Sequence, residues 1–155
     1  MRPALLTCVG CLALTWAACS NAPTSPPSTI VSTIDLTGSW SGDLTVQGSP
    51  ALMRWTLAEP AGGTAVSGSA LVSMPDGFVL LNGVLTGSID GSTLTFSITV
   101  GAGGIPSQPA CSGRIDGSGA VATATAPPTL TGTLTVAASS CSAPISNGPF
   151  TLSRS

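Results

Sequence analysis

The stretch Thr93–Val100 reads TLTFSITV and alternates strictly between hydroxyl-bearing and apolar side chains. Residues 129–136, TLTGTLTV, repeat the pattern with Gly132 at one apolar position. Successive side chains of a β-strand point to opposite faces, so this alternation predicts strands with one buried face and one face in water. Such strands are typical of antiparallel sheets.

The same period of two continues through most of the chain after residue 35, and no convincing helical period interrupts it. Asp-Gly pairs and Gly/Pro-rich breaks separate the runs, and Asp-Gly between alternating runs is a strong hairpin signal. We predict a glycine bulge around Ser118, because two glycines bracket it. The predicted strands span residues 37–47, 50–59, 64–74, 78–90, 92–100, 110–126, 129–138 and 148–154.

Eight antiparallel strands with short connections predict an all-β fold, an eight-stranded up-and-down β-barrel. The even count lets the last strand pair with the first, and a β-sandwich is the alternative. A transmembrane barrel carries aromatic girdles. This chain has 4% aromatic residues and no Tyr. We therefore expect the apolar face to point inward.

The composition argues against most enzyme chemistry. The chain has no His, no Tyr and no Lys, so a histidine-based triad, a histidine metal cluster and a Schiff base have no residues to form them. Three of the six carboxylates precede Gly in turns, where turn geometry alone accounts for them. A net charge of -2 does not provide the basic surface that nucleic-acid binding requires. We expect a non-enzymatic protein without metal, cofactor or nucleic-acid partner.

The N-terminus has the pattern of a secretory signal, which we assign to residues 1–18. Arg2 is followed by an uncharged apolar segment too short to span a membrane. Ala17-Ala18-Cys19 resembles the lipobox of bacterial lipoproteins, and the resemblance implies that Cys19 carries a lipid. The alternative is ordinary cleavage after Ala17 or Ala18, which leaves Cys19 unacylated.

Residues 19–34 form a Ser/Thr/Pro-rich linker without charge until Asp35, and residues 35–155 form the barrel domain. The lipoprotein resemblance implies an exported chain tethered at Cys19 to the bacterial cell envelope. Ser20 after the cysteine resembles lipoproteins of the outer membrane, with the domain in the periplasm or at the cell surface.

Two cysteines remain once those in the signal and Cys19 are set aside. Cys111 and Cys141 form an isolated pair in an exported chain, which predicts a disulfide. Closing this loop stabilises the fold by about 3.7 kcal/mol in the chain-entropy model.

Gly38-Ser39-Trp40 at the start of the first strand resembles the G-x-W signature of lipocalins and the wider calycin group. In that group an Arg at the end of the last strand packs over the Trp and closes the barrel. The resemblance implies this role for Arg154 with Trp40.

Three aromatic residues, Trp55, Phe96 and Phe150, are candidates for the wall of a ligand pocket, with a packed core as the alternative. We expect the barrel to bind a small apolar ligand. The alternative is a filled barrel that binds or inhibits an envelope protein through its loops, above all residues 101–109 and 139–149.

Overall fold

A computed structural model describes residues 34–46, 48–138 and 141–155. The predicted fold class is confirmed: the described chain is a closed barrel of eight antiparallel strands, each paired with the next and the last with the first. The strands are β1 (Gly38–Val46), β2 (Ser49–Ala58), β3 (Ala65–Ser73), β4 (Val79–Asp90), β5 (Thr93–Val100), β6 (Gly113–Ala122), β7 (Thr129–Val136) and β8 (Ile145–Arg154).

The seam between β1 and β8 closes the barrel over a short stretch, with Trp40 opposite Arg154 and Ser41 opposite Ser153. Gly42 follows directly, and a Cβ atom there would lie 1.9 Å from the carbonyl oxygen of Thr151. Only glycine allows the two backbones to approach this closely. The closed order rules out the alternative of an open sandwich.

The predicted bulge at Ser118 is wrong. β6 pairs in unbroken register with β5, from Gly113 opposite Val100 to Ala120 opposite Thr93. β6 is also shorter than the predicted 110–126. The bracketing glycines serve another purpose, since they face inward and leave room for aromatic rings. Register shifts occur elsewhere, between β3 and β4 and between β7 and β8.

The interior is filled by hydrophobic residues, and no polar or charged residue is buried in the described part of the chain. The indole N–H groups of Trp40 and Trp55 are the polar atoms of this core; the first donates to the Leu36 carbonyl and the second has no hydrogen-bond partner. The hydroxyl-bearing side chains of β5 and β7 face outward, as the alternation predicts. At mid-height Trp55, Phe96 and Phe150 pack together, with ring centroids 4.8 to 5.7 Å apart. Trp40, Met53 and aliphatic side chains complete the core.

The assigned signal peptide (1–18), Cys19 and nearly all of the linker (19–34) lie outside the described residues. Within the described ranges, no helix has the length and apolar character needed to cross a membrane.

Candidate functional site

The two ends of the barrel differ in chemistry, and we name them the closed end and the open end. The closed end contains the start of β1, the end of β8 and the connections at 59–64, 91–92 and 123–128. The open end contains residue 48, the connections at 74–78 and 101–112, and residues 137–138 and 141–144 of the connection between β7 and β8.

The closed end is covered by residues 34–37, which precede β1. Leu36 from this segment is fully buried. Its carbonyl oxygen accepts a 2.9 Å hydrogen bond from the indole nitrogen of Trp40. Its amide donates to the Glu59 carboxylate at 3.2 Å. Both contacts fix Leu36 as an apolar plug under the closed end.

Arg154 secures this plug from the last strand. Its guanidinium carbon lies 5.9 Å from the centroid of the Trp40 ring, within cation–π range. The guanidinium donates hydrogen bonds to the carbonyl oxygens of Asp35 and Thr37 and forms an ion pair with the Asp35 carboxylate at 3.3 Å. Arg154 thus occupies the place that the G-x-W resemblance implies.

A cavity of about 430 Å³ lies beside this plug, with Asp35, Thr37 and Glu59 on its walls. The Thr37 amide donates to Asp35 at 2.8 Å, and this bond, with a smaller contribution from Arg154, lowers the pKa of Asp35. Both carboxylates already accept backbone N–H groups. Their hydrogen bonds organise the capping segment, which is a structural role.

The open end holds a second cavity of about 420 Å³, whose walls are mostly aliphatic, with Ser112, Arg114, Asp116 and Ser142 among the lining residues. Most strands contribute their last inward side chains to it, and the rim is formed by the two long connections. The apolar side chains that line it are Leu44, Val46, Met53, Val72, Leu80, Leu81, Val100, Ile105, Ile115, Leu134, Val136, Ala137, Ala138 and Ile145. A space of this size and character fits a small apolar ligand.

The rim of the open end is held in place by a disulfide. Cys111 and Cys141 are bonded, with Cα atoms 5.9 Å apart, as predicted. The bond joins connection 101–112 to residues 141–144, which precede β8. Connection 101–112 is also hydrogen-bonded to the barrel wall, since the backbone N–H of Asn82 on β4 donates to the Gly104 carbonyl at 2.7 Å. Ile105 is thereby held against the core as one wall of the cavity.

One ion pair lies at the same rim. The Arg114 and Asp116 side chains point outward on β6 and meet at 2.7 Å, and both are more than half exposed. The hydrogen bond from Arg114 lowers the pKa of the Asp116 carboxyl. The positive charge of Arg114 is therefore compensated by the Asp116 carboxylate on the same strand.

The predicted pocket residues need correction. Trp55, Phe96 and Phe150 are buried against one another and line neither of the two cavities. Their rings occupy the space left by glycines on neighbouring strands, which is why the middle of the barrel is filled. The residues that line the open-end cavity were not singled out from the sequence. Their positions in the predicted strands could have identified many of them, because they are the inward residues nearest the same end of each strand.

Comparisons of the chain with protein-family models, curated proteins and solved structures found no significant match.

Proposed function

We propose that this protein is a non-enzymatic, calycin-like binding protein that holds a small apolar ligand in the open-end cavity. The observation that carries the proposal is the contrast between the ends of the barrel. One end is plugged by Leu36 and secured by Arg154, while the other contains about 420 Å³ bounded by aliphatic side chains. Apolar surface exposed in such a cavity favours an apolar occupant over water.

The cellular setting belongs to the same proposal. We propose that the chain is exported, acylated at Cys19 and tethered to the bacterial envelope, with the outer membrane as its destination. The apolar N-terminal segment and the lipobox-like Ala17-Ala18-Cys19 support this. The disulfide adds support, because disulfides persist mainly in oxidising compartments.

Direct binding of an environment-sensitive apolar dye tests the binding function. Wild-type protein should enhance the dye's fluorescence, and Leu134→Trp should abolish the enhancement by filling the cavity. Thr135→Trp is the matched control, because the neighbouring side chain on β7 faces solvent. The proposal fails if wild type gives no enhancement, or if Leu134→Trp and Thr135→Trp bind the dye equally while both remain folded.

One observation favours a second candidate, a loop-mediated contact with an envelope protein. Phe78, in connection 74–78 at the open end, is 52% exposed. Large exposed aromatic side chains are typical anchors of protein interfaces. Under this reading Phe78→Ser should abolish cross-linking to the partner in the native host, whereas Leu134→Trp should leave it intact.

A further inference from the structure

We infer that the open-end cavity takes one straight alkyl or acyl chain whose head group is uncharged and remains at the rim. This inference rests on the proposed binding function and specifies its ligand. It follows from three properties of the cavity: the chemistry of its walls, its volume, and the position of every arginine in the described part of the chain.

The walls favour an aliphatic chain over a planar ring. The residues that face the cavity from the barrel interior, such as Leu81, Val100, Ile115 and Leu134, are all aliphatic except for Met53. No aromatic side chain lines the cavity. A planar ligand would lack the ring partners that aromatic pairs use, whereas a flexible chain can follow a wall of methyl and methylene groups.

The floor of the cavity limits how far a chain can enter. On β2 the inward residue Met53 lines the cavity, and Trp55 is the next inward residue toward the closed end. Trp55 belongs to the packed aromatic cluster with Phe96 and Phe150, so a chain must stop above it.

The volume sets the length of the chain. A methylene group needs roughly the same space as a water molecule, about 30 Å³. On this scale a cavity of about 420 Å³ corresponds to a single chain on the order of fourteen carbons. Two chains of that length would need about twice this volume, which favours a ligand with one chain.

The arginines indicate the charge of the head group. Among the described residues, Arg54 points outward from β2 and Arg154 is engaged at the closed end. Arg114 lies at the rim of the cavity but is paired with Asp116. A carboxylate head would therefore meet no net positive charge at the rim, because the Asp116 carboxylate lines the cavity beside Arg114 and repels a second negative charge.

An uncharged head finds suitable partners instead. Ser112 and Ser142 both line the rim. The hydroxyl of Ser142 donates to the Ala143 carbonyl, which leaves its oxygen available as an acceptor. A hydroxyl or ester head can exchange hydrogen bonds with these serines and with water.

The experiment is a competition titration at about pH 8, in which straight-chain alcohols displace the apolar dye from the wild-type protein. Affinity should rise about fourfold with each added methylene and level off near fourteen carbons. Dodecanol should bind at least tenfold more tightly than dodecanoate. In Asp116→Asn the freed Arg114 should tighten dodecanoate binding at least threefold and leave dodecanol binding unchanged.

The outcomes separate this inference from the proposed function. Binding of the planar probe pyrene without binding of dodecanol overturns the inference and leaves the binding function standing. Dodecanoate binding as tight as dodecanol overturns the uncharged head group. An Asp116→Asn variant without effect on dodecanoate overturns the role of the Arg114–Asp116 pair in selecting it. Failure of the dye, pyrene and every alcohol to bind overturns the proposed function itself.

Discussion

Arg154 lies over Trp40 with its guanidinium carbon 5.9 Å from the ring centroid, and the two residues are direct partners across the β1–β8 seam. The same guanidinium donates to the carbonyl oxygens of Asp35 and Thr37. One side chain therefore joins the last strand to the first strand and to the segment that plugs the barrel. Because the seam has few paired residues, this contact is central to closure.

The first prediction is an energetic coupling between Arg154 and Trp40. Arg154→Ala and Trp40→Leu should each destabilise the barrel, and the double variant should lose less than the sum of the two. We expect a coupling of about 0.5–1 kcal/mol, since the Arg154 side chain is 32% exposed and cation–π attraction weakens in water. Urea unfolding of the four proteins measures it.

Arg54→Ala is the control for this cycle, because it removes an exposed arginine from the neighbouring strand β2. Its effect should be additive with that of Trp40→Leu. Equal coupling for Arg54 and Arg154 would contradict a specific contact at the seam.

The second prediction concerns the disulfide. Replacing both Cys111 and Cys141 with Ser should lower the free energy of unfolding by about 3–4 kcal/mol, because the unfolded chain regains the freedom of the closed loop. The bond also holds two connections at the rim, so the double variant should bind the apolar dye more weakly. Denaturant unfolding and dye titration, each with and without reductant, measure the two effects. Reductant should change the wild type and leave the Ser variant unaffected.

The third prediction is acylation of Cys19. Cells grown with labelled fatty acid should incorporate the label into the wild-type chain, because acylation of the terminal cysteine provides stable membrane attachment. Cys19→Ala should remain unlabelled and be released in a soluble form. Cys111→Ala is the matched control and should retain the label. Equal labelling of wild type and Cys19→Ala would contradict the lipid anchor.

Much of the fold can be predicted from the sequence because side-chain alternation is a local property. The positions of β5 and β7 follow from TLTFSITV and TLTGTLTV, and the parity of Arg154 places it near the face that carries Phe150 and Leu152. The disulfide is predictable for another reason: once three of the five cysteines are assigned to the predicted signal and lipid anchor, Cys111 has one remaining partner, Cys141.

The contents of the barrel are not predictable in this way, because they depend on register between strands. Phe96 has Gly87 opposite it on β4 and Gly117 opposite it on β6, and Phe150 has Gly132 opposite it on β7. From alternation alone, these glycines are predicted to point inward and to leave room for a ligand. Pairing shows that the aromatic rings occupy that room.

The open-end cavity is hidden from sequence analysis for a further reason. Part of its wall is Ile105, which lies in connection 101–112 and follows no period. Its position depends on a backbone hydrogen bond from Asn82 to Gly104 and on the disulfide at Cys111. Long-range contacts of this kind leave no local pattern.

The fourth prediction is a pH dependence at the closed end. The hydrogen bond from the Thr37 amide, assisted by Arg154, lowers the pKa of Asp35 in the folded state. A lowered folded pKa stabilises the protein above the unfolded pKa, near 4, and this stabilisation is lost as the pH falls through the folded value. Asp35→Asn should therefore be less stable than wild type near pH 7, and the difference should shrink below about pH 4.

Urea midpoints recorded from about pH 7 to about pH 3 measure this difference. Asp90→Asn, which removes one exposed turn carboxylate, controls for the loss of a negative surface charge. The effect should be small because Asp35 is largely exposed. A difference between wild type and Asp35→Asn that grows toward acidic pH would have the wrong sign.

The last prediction tests whether glycine at the aromatic cluster is required for packing. A Cβ atom at Gly117 would lie 2.4 Å from the Phe96 ring and 2.6 Å from the Thr133 carbonyl oxygen. Gly117→Ala should therefore destabilise the barrel by about 1–3 kcal/mol through overpacking. Gly113 shares the strand and has nothing within 4 Å of the equivalent position.

Gly113→Ala is thus the matched control and should be neutral or slightly stabilising, because alanine restricts the unfolded chain. Shrinking the ring should partly rescue the overpacked variant, so Phe96→Leu combined with Gly117→Ala should cost less than the sum of the two single changes. Urea unfolding followed by tryptophan fluorescence measures the wild type and the four variants, since Trp55 packs on Phe96 and both Trp40 and Trp55 are buried in the folded barrel. Equal stability of Gly117→Ala and Gly113→Ala would show that the aromatic cluster has room for an extra methyl group. That result would contradict the conclusion that the middle of the barrel is filled.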